Sequence, residues 1–350
     1  MRELRTLPKA ELHIHIEGSL GASTLREWAE RGGGTLPHGL RDDDGWRFDG
    51  SLDFIENYVE MCRLLTELDD FRRMGEEFCE DLAATGVRYA EAVFSPANHA
   101  ARLSGDWFGP IEALLGGLDA GRRATGVTVG LCPDIVRDLG PEEAERTLEV
   151  ALAFAGKGVV ALNAAGSERA PVAPFGPMFR RAKDAGLGSV PHAGEWAGAR
   201  NVWETLEHYA PDRIGHGVAA ATDPRLMEHL AASGIPLEVS PLSNVATGVF
   251  ATLEEHPFRT LRDAGVMVTL NSDDPSMFGA WLSDVYAAAR DAWAFDDGTL
   301  AAIARDGVRA SFADEVTKTA LFTGIDAWLE TQPEGEGSGP GVSAIVIDSM

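Results

Sequence analysis

ELHIHIEG, residues 11–18, is the stretch on which the fold and the chemistry both turn. In a β-strand, residues two apart point to the same face. His13, His15 and Glu17 therefore share one side. A single histidine in a strand is an ordinary core residue. Two imidazoles with a carboxylate next in phase form a metal-binding face.

Outward from this stretch, seven more short apolar runs end in polar residues. They are VRYAEAVFS (87–95), VTVGLCPD (127–134), GVVALNAAG (158–166), LGSVPHAGE (187–195), RIGHGV (213–218), IPLEVSPLSN (235–244) and VMVTLNSDDP (266–275). They are rich in Val, Ile and Leu without strict alternation, as strands buried on both faces are. Helical stretches lie between them. PEEAERTLEVALAFA (141–155) opens on Pro141 and an acidic first turn, and DPRLMEHLAASG (223–234) has an Asp cap and a Gly stop. After the first strand, successive starts are roughly 20–40 residues apart, the length of one βα unit. The pattern predicts an α/β fold, a (β/α)8 TIM barrel with a helical insertion after strand 1. A doubly wound sheet shows the same alternation. The count of eight, and the odd chemistry at strand C-termini, favour the barrel.

The insertion includes SLDFIENYVEMCRLLTEL (51–68), read as helical. Phe54, Tyr58, Met61 and Leu65 fall on one face, fit to pack on the barrel and to serve as a lid over its top. Residues 1–330 read as one barrel domain and 331–350 as a flexible tail, since QPEGEGSGPG (332–341) is linker-like. The apolar VSAIVIDSM behind it has no assigned role.

Thirty basic against fifty-five acidic residues give a formal net charge of −25. That argues against a nucleic-acid or anionic-membrane partner and leaves a small nucleotide in a cleft open. Cys62, Cys79 and Cys132 have no CxxC spacing, so disulfides and a thiolate zinc site are not expected, and a reducing cytoplasm fits. The N-terminus lacks the apolar stretch of a signal peptide, and no run of apolar residues is long enough to span a membrane. No oligomeric state is assigned.

Other chemistry-bearing residues stand at later strand ends. His192 and Glu195 lie in HAGE, His216 in IGHG, and Asp273 with Asp274 in NSDDP. Taken singly, His216 reads as core and Asp274 as a helix cap before Pro275. Together with His13 and His15 they converge on the C-terminal face of the barrel, where such folds place active sites. Three imidazoles and a carboxylate without thiolate suit Zn²⁺ and accept Fe²⁺, Co²⁺ or Ni²⁺. His38, His99, His208, His229 and His256 read as surface or structural residues.

PKAELHIHIEGSL, VPHAGE, RIGHG, SPLSN and LNSDDPSMFG occur in one order from Pro8 to Gly279. They resemble the adenosine deaminase family of the metal-dependent amidohydrolases, as do the helix around Phe54–Tyr58 and AGSE (165–168). The resemblance implies one Zn²⁺ per chain on His13, His15, His192 and Asp273. It implies Glu195 as the proton shuttle to purine N1, and His216 as the group that orients and helps deprotonate the metal-bound water. It implies Asp274 at N7, the Gly166 N–H at N3, and Glu17 at the ribose 5′-hydroxyl. The expected substrate is a purine nucleoside. The alternatives are aminodeoxyfutalosine, of menaquinone biosynthesis, and free adenine, with a purine-binding barrel without activity as a reading of another class.

The chemistry agrees. Displacing an aromatic amine needs a nucleophile near neutral pH, which zinc supplies by acidifying its water to a pKa of about 7. N1 must be protonated as the ring accepts electrons, and an unligated carboxyl can do this. Asp274 must carry a proton to meet N7, and its crowding against Asp273 favours that. No P-C-x-x-C stands here, which excludes the cytidine type. Strand four ends NAAG with no bridging lysine, so one metal is expected rather than two. Pro191 removes a ladder donor from the fifth strand, so a local bulge is expected there. NAAGSE departs from the free-adenine pattern and points to a nucleoside.

Overall fold

The computed structural model describes residues 1–331, so the tail expected over 331–350 lies, save Thr331, outside the described residues. Eight strands follow in chain order: β1 (Lys9–His15), β2 (Val87–Phe94), β3 (Thr128–Val136) and β4 (Ala161–Ala165). β5 comes in two pieces (Gly188–Ser189 and His192–Ala193), followed by β6 (Ile214–His216), β7 (Leu237–Val239) and β8 (Val268–Leu270). All pair in parallel with their neighbours in sequence. The chain after β8 returns to β1 through one residue. Asp273 N–H donates to the His13 carbonyl at 3.1 Å, and His15 N–H donates to the Asp273 carbonyl at 2.8 Å. The result is the (β/α)8 barrel.

The break in β5 falls at Val190–Pro191, where the expected disturbance sits. The Pro191 carbonyl still accepts from Gly215 N–H at 2.9 Å, so only its donor side leaves the ladder. Asp223 caps its helix, Pro224–Ser233, by accepting from Arg225 and Leu226 N–H, and Gly234 ends it at φ +69°.

Between β1 and β2 lie α1 (Ala22–Gly32), α2 (Gly50–Cys62) and α3 (Leu68–Ala84). The helix expected over 51–68 is interrupted. α2 stops at Cys62, and α3 starts afresh with a capping box between Glu67 and Asp70. The Asp70 carboxylate also accepts from Thr66 N–H and from both Arg31 Nη atoms. A new helix start satisfies these donors where a continuous helix could not.

The barrel interior holds buried charge. Arg213 of the β6 approach pairs with Glu91 on β2 and Glu238 on β7, and its guanidinium stacks 4.3 Å over the Phe312 ring. Buried ions persist only when paired in this way. The consequence here is that Glu238 is fixed beneath the barrel mouth. Cys62, Cys79 and Cys132 are free and buried. Among the described residues no helix is long and apolar enough to cross a membrane.

Candidate active site

β1, β5 and the turn after β8 deliver His13, His15, His192 and Asp273 to one point, with donor atoms within 4.8 Å of one another. His15 Nε2 and His192 Nε2 stand 3.2 Å apart. Asp273 Oδ1 lies 3.4 Å from His13 Nε2 and 3.5 Å from His15 Nε2. The other edge of two of these rings is already engaged. His13 Nδ1 faces Glu238 Oε2 at 3.0 Å, and His192 Nδ1 faces Asn163 Oδ1 at 3.0 Å. These acceptors put the protons on Nδ1 and leave each Nε2 lone pair turned inward, the tautomer that ligates. Ser243 Oγ donates to Asp273 Oδ2 at 2.7 Å, which leaves Oδ1 for the centre.

The donor set fits a metal ion on this geometry. Burial holds His15 and His192 below the usual imidazole pKa, so both offer lone pairs. Burial also opposes a charge on His13, but Asp273 and Glu238 outweigh it and lift its pKa to about 10. Two carboxylates thus call for positive charge at the centre. His13 Nε2 is itself buried without a hydrogen-bond partner. A divalent cation between these atoms satisfies all of this at once.

Around the cluster stand the proton-handling groups. Glu195 Oε2 lies 3.6 Å from His216 Nε2, which is 3.8 Å from Asp273 Oδ2. Burial, then the nearby Asp273 and Glu168 carboxylates, raise Glu195 well above the usual range. Burial lowers His216 to about 3, so the ring is neutral. Asn244 Nδ2 reaches both Glu195 Oε1 (3.2 Å) and His216 Nδ1 (3.3 Å).

Asp274 precedes a short helix, Pro275–Phe278, yet its side chain makes no capping bond, and its Oδ1 is buried without a partner. Its carboxyl is therefore not spent on the helix. Burial and Asp273 raise its pKa well above the usual range. Gly18 makes room for it, since a Cβ there would lie 1.9 Å from Asp274 Oδ1.

His15, His192, Glu195, His216, Asp273 and Asp274 line a cavity at the barrel mouth that Phe54 and Tyr58 of α2 cover from one side. α2 packs on the barrel and presents Phe54 and Tyr58 to the cavity. Gly166 lies on the cavity wall at φ +81°. Glu17 does not lie on that wall. It is fully buried, and its Oε1 accepts from Ser95 N–H and faces His99 Nε2, each at 3.1 Å. Its Oε2 is buried without a hydrogen-bond partner. His99 and His256 are indeed internal, the latter 3.1 Å from Asn244 Oδ1, while His38 is exposed beside Asp53 and Glu60.

Sequence reasoning did not single out Glu238, Asn163, Asn244 or Ser243. The last two lie in the quoted SPLSN motif without an assigned role. Glu238 and Asn163 sit in β7 and β4, where their partners are 225 and 29 residues away.

The adenosine deaminase family model matches residues 8–328. The chain is 40% identical over 334 residues to aminodeoxyfutalosine deaminase of Streptomyces coelicolor, covering 92% of this chain and 86% of that protein. The crystal structure of adenine deaminase from Arthrobacter aurescens superposes with a TM-score of 0.86 at 30% identity, covering 93% of this chain and 99% of that one. A Zn-bound amidohydrolase from Burkholderia ambifaria superposes with the same TM-score at 26% identity, covering 93% and 92%. With the match spanning all eight strands and every member of the buried cluster, the chain belongs to the adenosine deaminase family.

Proposed function

We propose that the chain hydrolyses the 6-amino group of an adenine nucleoside, releasing ammonia and leaving the 6-oxopurine. One observation carries the reading. The donors of His13, His15, His192 and Asp273 converge, and Glu195 and His216 gather about the same Asp273. Zn²⁺, one per chain, is the ion we infer. Nitrogen donors with one carboxylate suit it, and one relative's structure carries it. When bound it supplies a water acidic enough to be a nucleophile near pH 7.

The chain's own residues do the rest. Glu195, kept protonated by burial, donates to ring N1 so that C6 can accept electrons. The Asn244 amide aims it. His216, with Nδ1 facing that amide, carries its proton on Nε2 and orients the attacking oxygen by donation. In this tautomer it orients rather than takes up a proton. Asp274, also protonated, donates to N7, and Gly166 offers its N–H to N3. At φ +81°, with Asp138 Oδ2 2.4 Å from where a Cβ would sit, a side chain at Gly166 would be strained. Phe54 and Tyr58 cover the ring and exclude water.

A sugar on the base is supported by the opposite wall. The groups for chemistry at C6 come from β1, β5, β6 and the turn after β8. Over β2 and β3 the wall carries Ser95, Asp134, Arg137 and Asp138, which that chemistry does not use. Arg137 and Asp138 are bonded to the loop after β4, but a bare purine leaves Asp134 Oδ1 without a partner. Kinship with the Arthrobacter adenine deaminase favours free adenine as a second reading, and the Streptomyces relative favours aminodeoxyfutalosine. Three buried free thiols suit a reducing, cytoplasmic setting.

The test is a screen of adenosine, 2′-deoxyadenosine, aminodeoxyfutalosine and adenine by loss of the 6-amino absorbance band. Nucleosides should outperform adenine in kcat/KM. A preference for adenine selects the second reading, and no loss on any of the four ends the deaminase reading.

A further inference from the structure

Asp134 closes β3 in register with Asn163, the residue that holds His192. Paired positions on adjacent strands share a face, so Asp134 lies on the cavity side, one strand on from a ligand-holding residue. It is 1% exposed and lines the cavity, and its Oδ1 has no hydrogen-bond partner. A buried carboxyl oxygen left in this way awaits a partner. The catalytic scheme supplies none, since purine N1, N3 and N7 are met from β5, β4 and the turn after β8.

The surroundings define the partner. Asp138 and Glu168 line the same cavity and disfavour an anionic group. The cation on the wall, Arg137, already donates to the carbonyls of Ala165 (3.1 Å), Gly166 (2.9 Å) and His192 (3.4 Å). Burial raises Asp134 to about 7 against the opposing effect of a hydrogen bond from Ser95, so near neutrality the carboxyl can donate as well as accept. A hydroxyl matches both capacities.

We propose that Asp134, with Ser95 beside it, is a specificity-determining residue that hydrogen-bonds one hydroxyl of the sugar carried on N9 of the purine. The inference rests on the deaminase reading and does not depend on Glu17, which is not among the residues lining the cavity.

A double-mutant cycle tests it. Wild type, Asp134→Ala and Asp134→Asn are assayed on adenosine, its 2′-, 3′- and 5′-deoxy analogues, and adenine. kcat/KM is read where turnover occurs and Kd, by calorimetry, where it does not. In wild type, one deoxy analogue should fall roughly 10–100-fold below adenosine, the range of a hydrogen bond to a charged or acidic group. Asp134→Ala should lose the same factor on adenosine and leave that analogue and adenine within about threefold. Asp134→Asn should keep part of the preference. Equal losses on adenosine and adenine, or deoxy penalties unchanged by Asp134→Ala, would overturn the assignment. Absence of turnover on all five compounds refutes the deaminase reading separately, while the binding cycle still decides for or against Asp134.

Discussion

His216 and Asp273, neither of them glycine, hold the left-handed region at φ +58° and +68°. Such backbone is uncommon for side-chain-bearing residues and concentrates at functional sites, where the surrounding structure enforces it. Here the enforcement is visible, because Asp273 is bonded to β1 through both its N–H and its carbonyl. Glu195 is the residue whose chemistry is easiest to isolate. Glu195→Gln preserves size and leaves His13, His15, His192 and Asp273 untouched, but cannot give up a proton to N1. Metal content should be unchanged and kcat should fall by roughly 10²–10⁴, the scale of a general acid. A near-normal kcat would show that another group protonates the ring.

Asp134 makes an independent thermodynamic prediction. Its folded pKa, about 7, lies above the ordinary carboxyl value because burial disfavours the charge. The folded state therefore holds the proton longer than the unfolded chain does. The associated stability is fully present at low pH and is lost as pH rises from about 4 to about 7. Asp134→Asn removes this loss. Relative to wild type, it should be equal near pH 4 and more stable by up to about 4 kcal/mol above pH 7. Unfolding measured across that range checks the slope, and a difference independent of pH would contradict it.

At the scale of elements, the strand ends were readable and their supports were not. The i, i+2 histidines of β1, the HAGE and IGHG ends of β5 and β6, and the Asp pair after β8 announce themselves because one strand presents them locally. Pro191 likewise marked the break in β5. Glu238 and Asn163 gave no such signal, since a lone polar residue in an apolar strand looks alike whether or not a ligand leans on it. Their meaning arises from register across strands. The helix over 51–68 was misjudged at its C-terminal end, where Asp70 gathers backbone donors into a new helix start. Glu17, expected from its motif at the sugar, is buried with one oxygen facing His99 and the other without a partner, and its sequence context gives no sign of that histidine.

Gly215 on β6 shows how closely these elements meet. A Cβ there would lie 2.7 Å from His13 Cε1 and 3.1 Å from its Nδ1. Gly215→Ala should push the His13 ring off Glu238. Metal affinity, read by chelator competition, should drop roughly 10–100-fold, as when a residue supporting a ligand is lost. Unchanged affinity would mean that the ring is not held where the geometry puts it.

For the whole molecule, the barrel brings residues from position 13 to position 274 to one mouth. The net charge of −25 fits a small uncharged substrate better than a polyanion. The proposed hydrolysis depends on one centre holding one ion. The direct test is to strip the purified protein with a chelator, titrate Zn²⁺ back, and follow loss of the 6-amino band of adenosine. The account predicts no activity in the stripped protein and a linear recovery that saturates at one equivalent per chain. Saturation at two equivalents, or full activity without added metal, would contradict it.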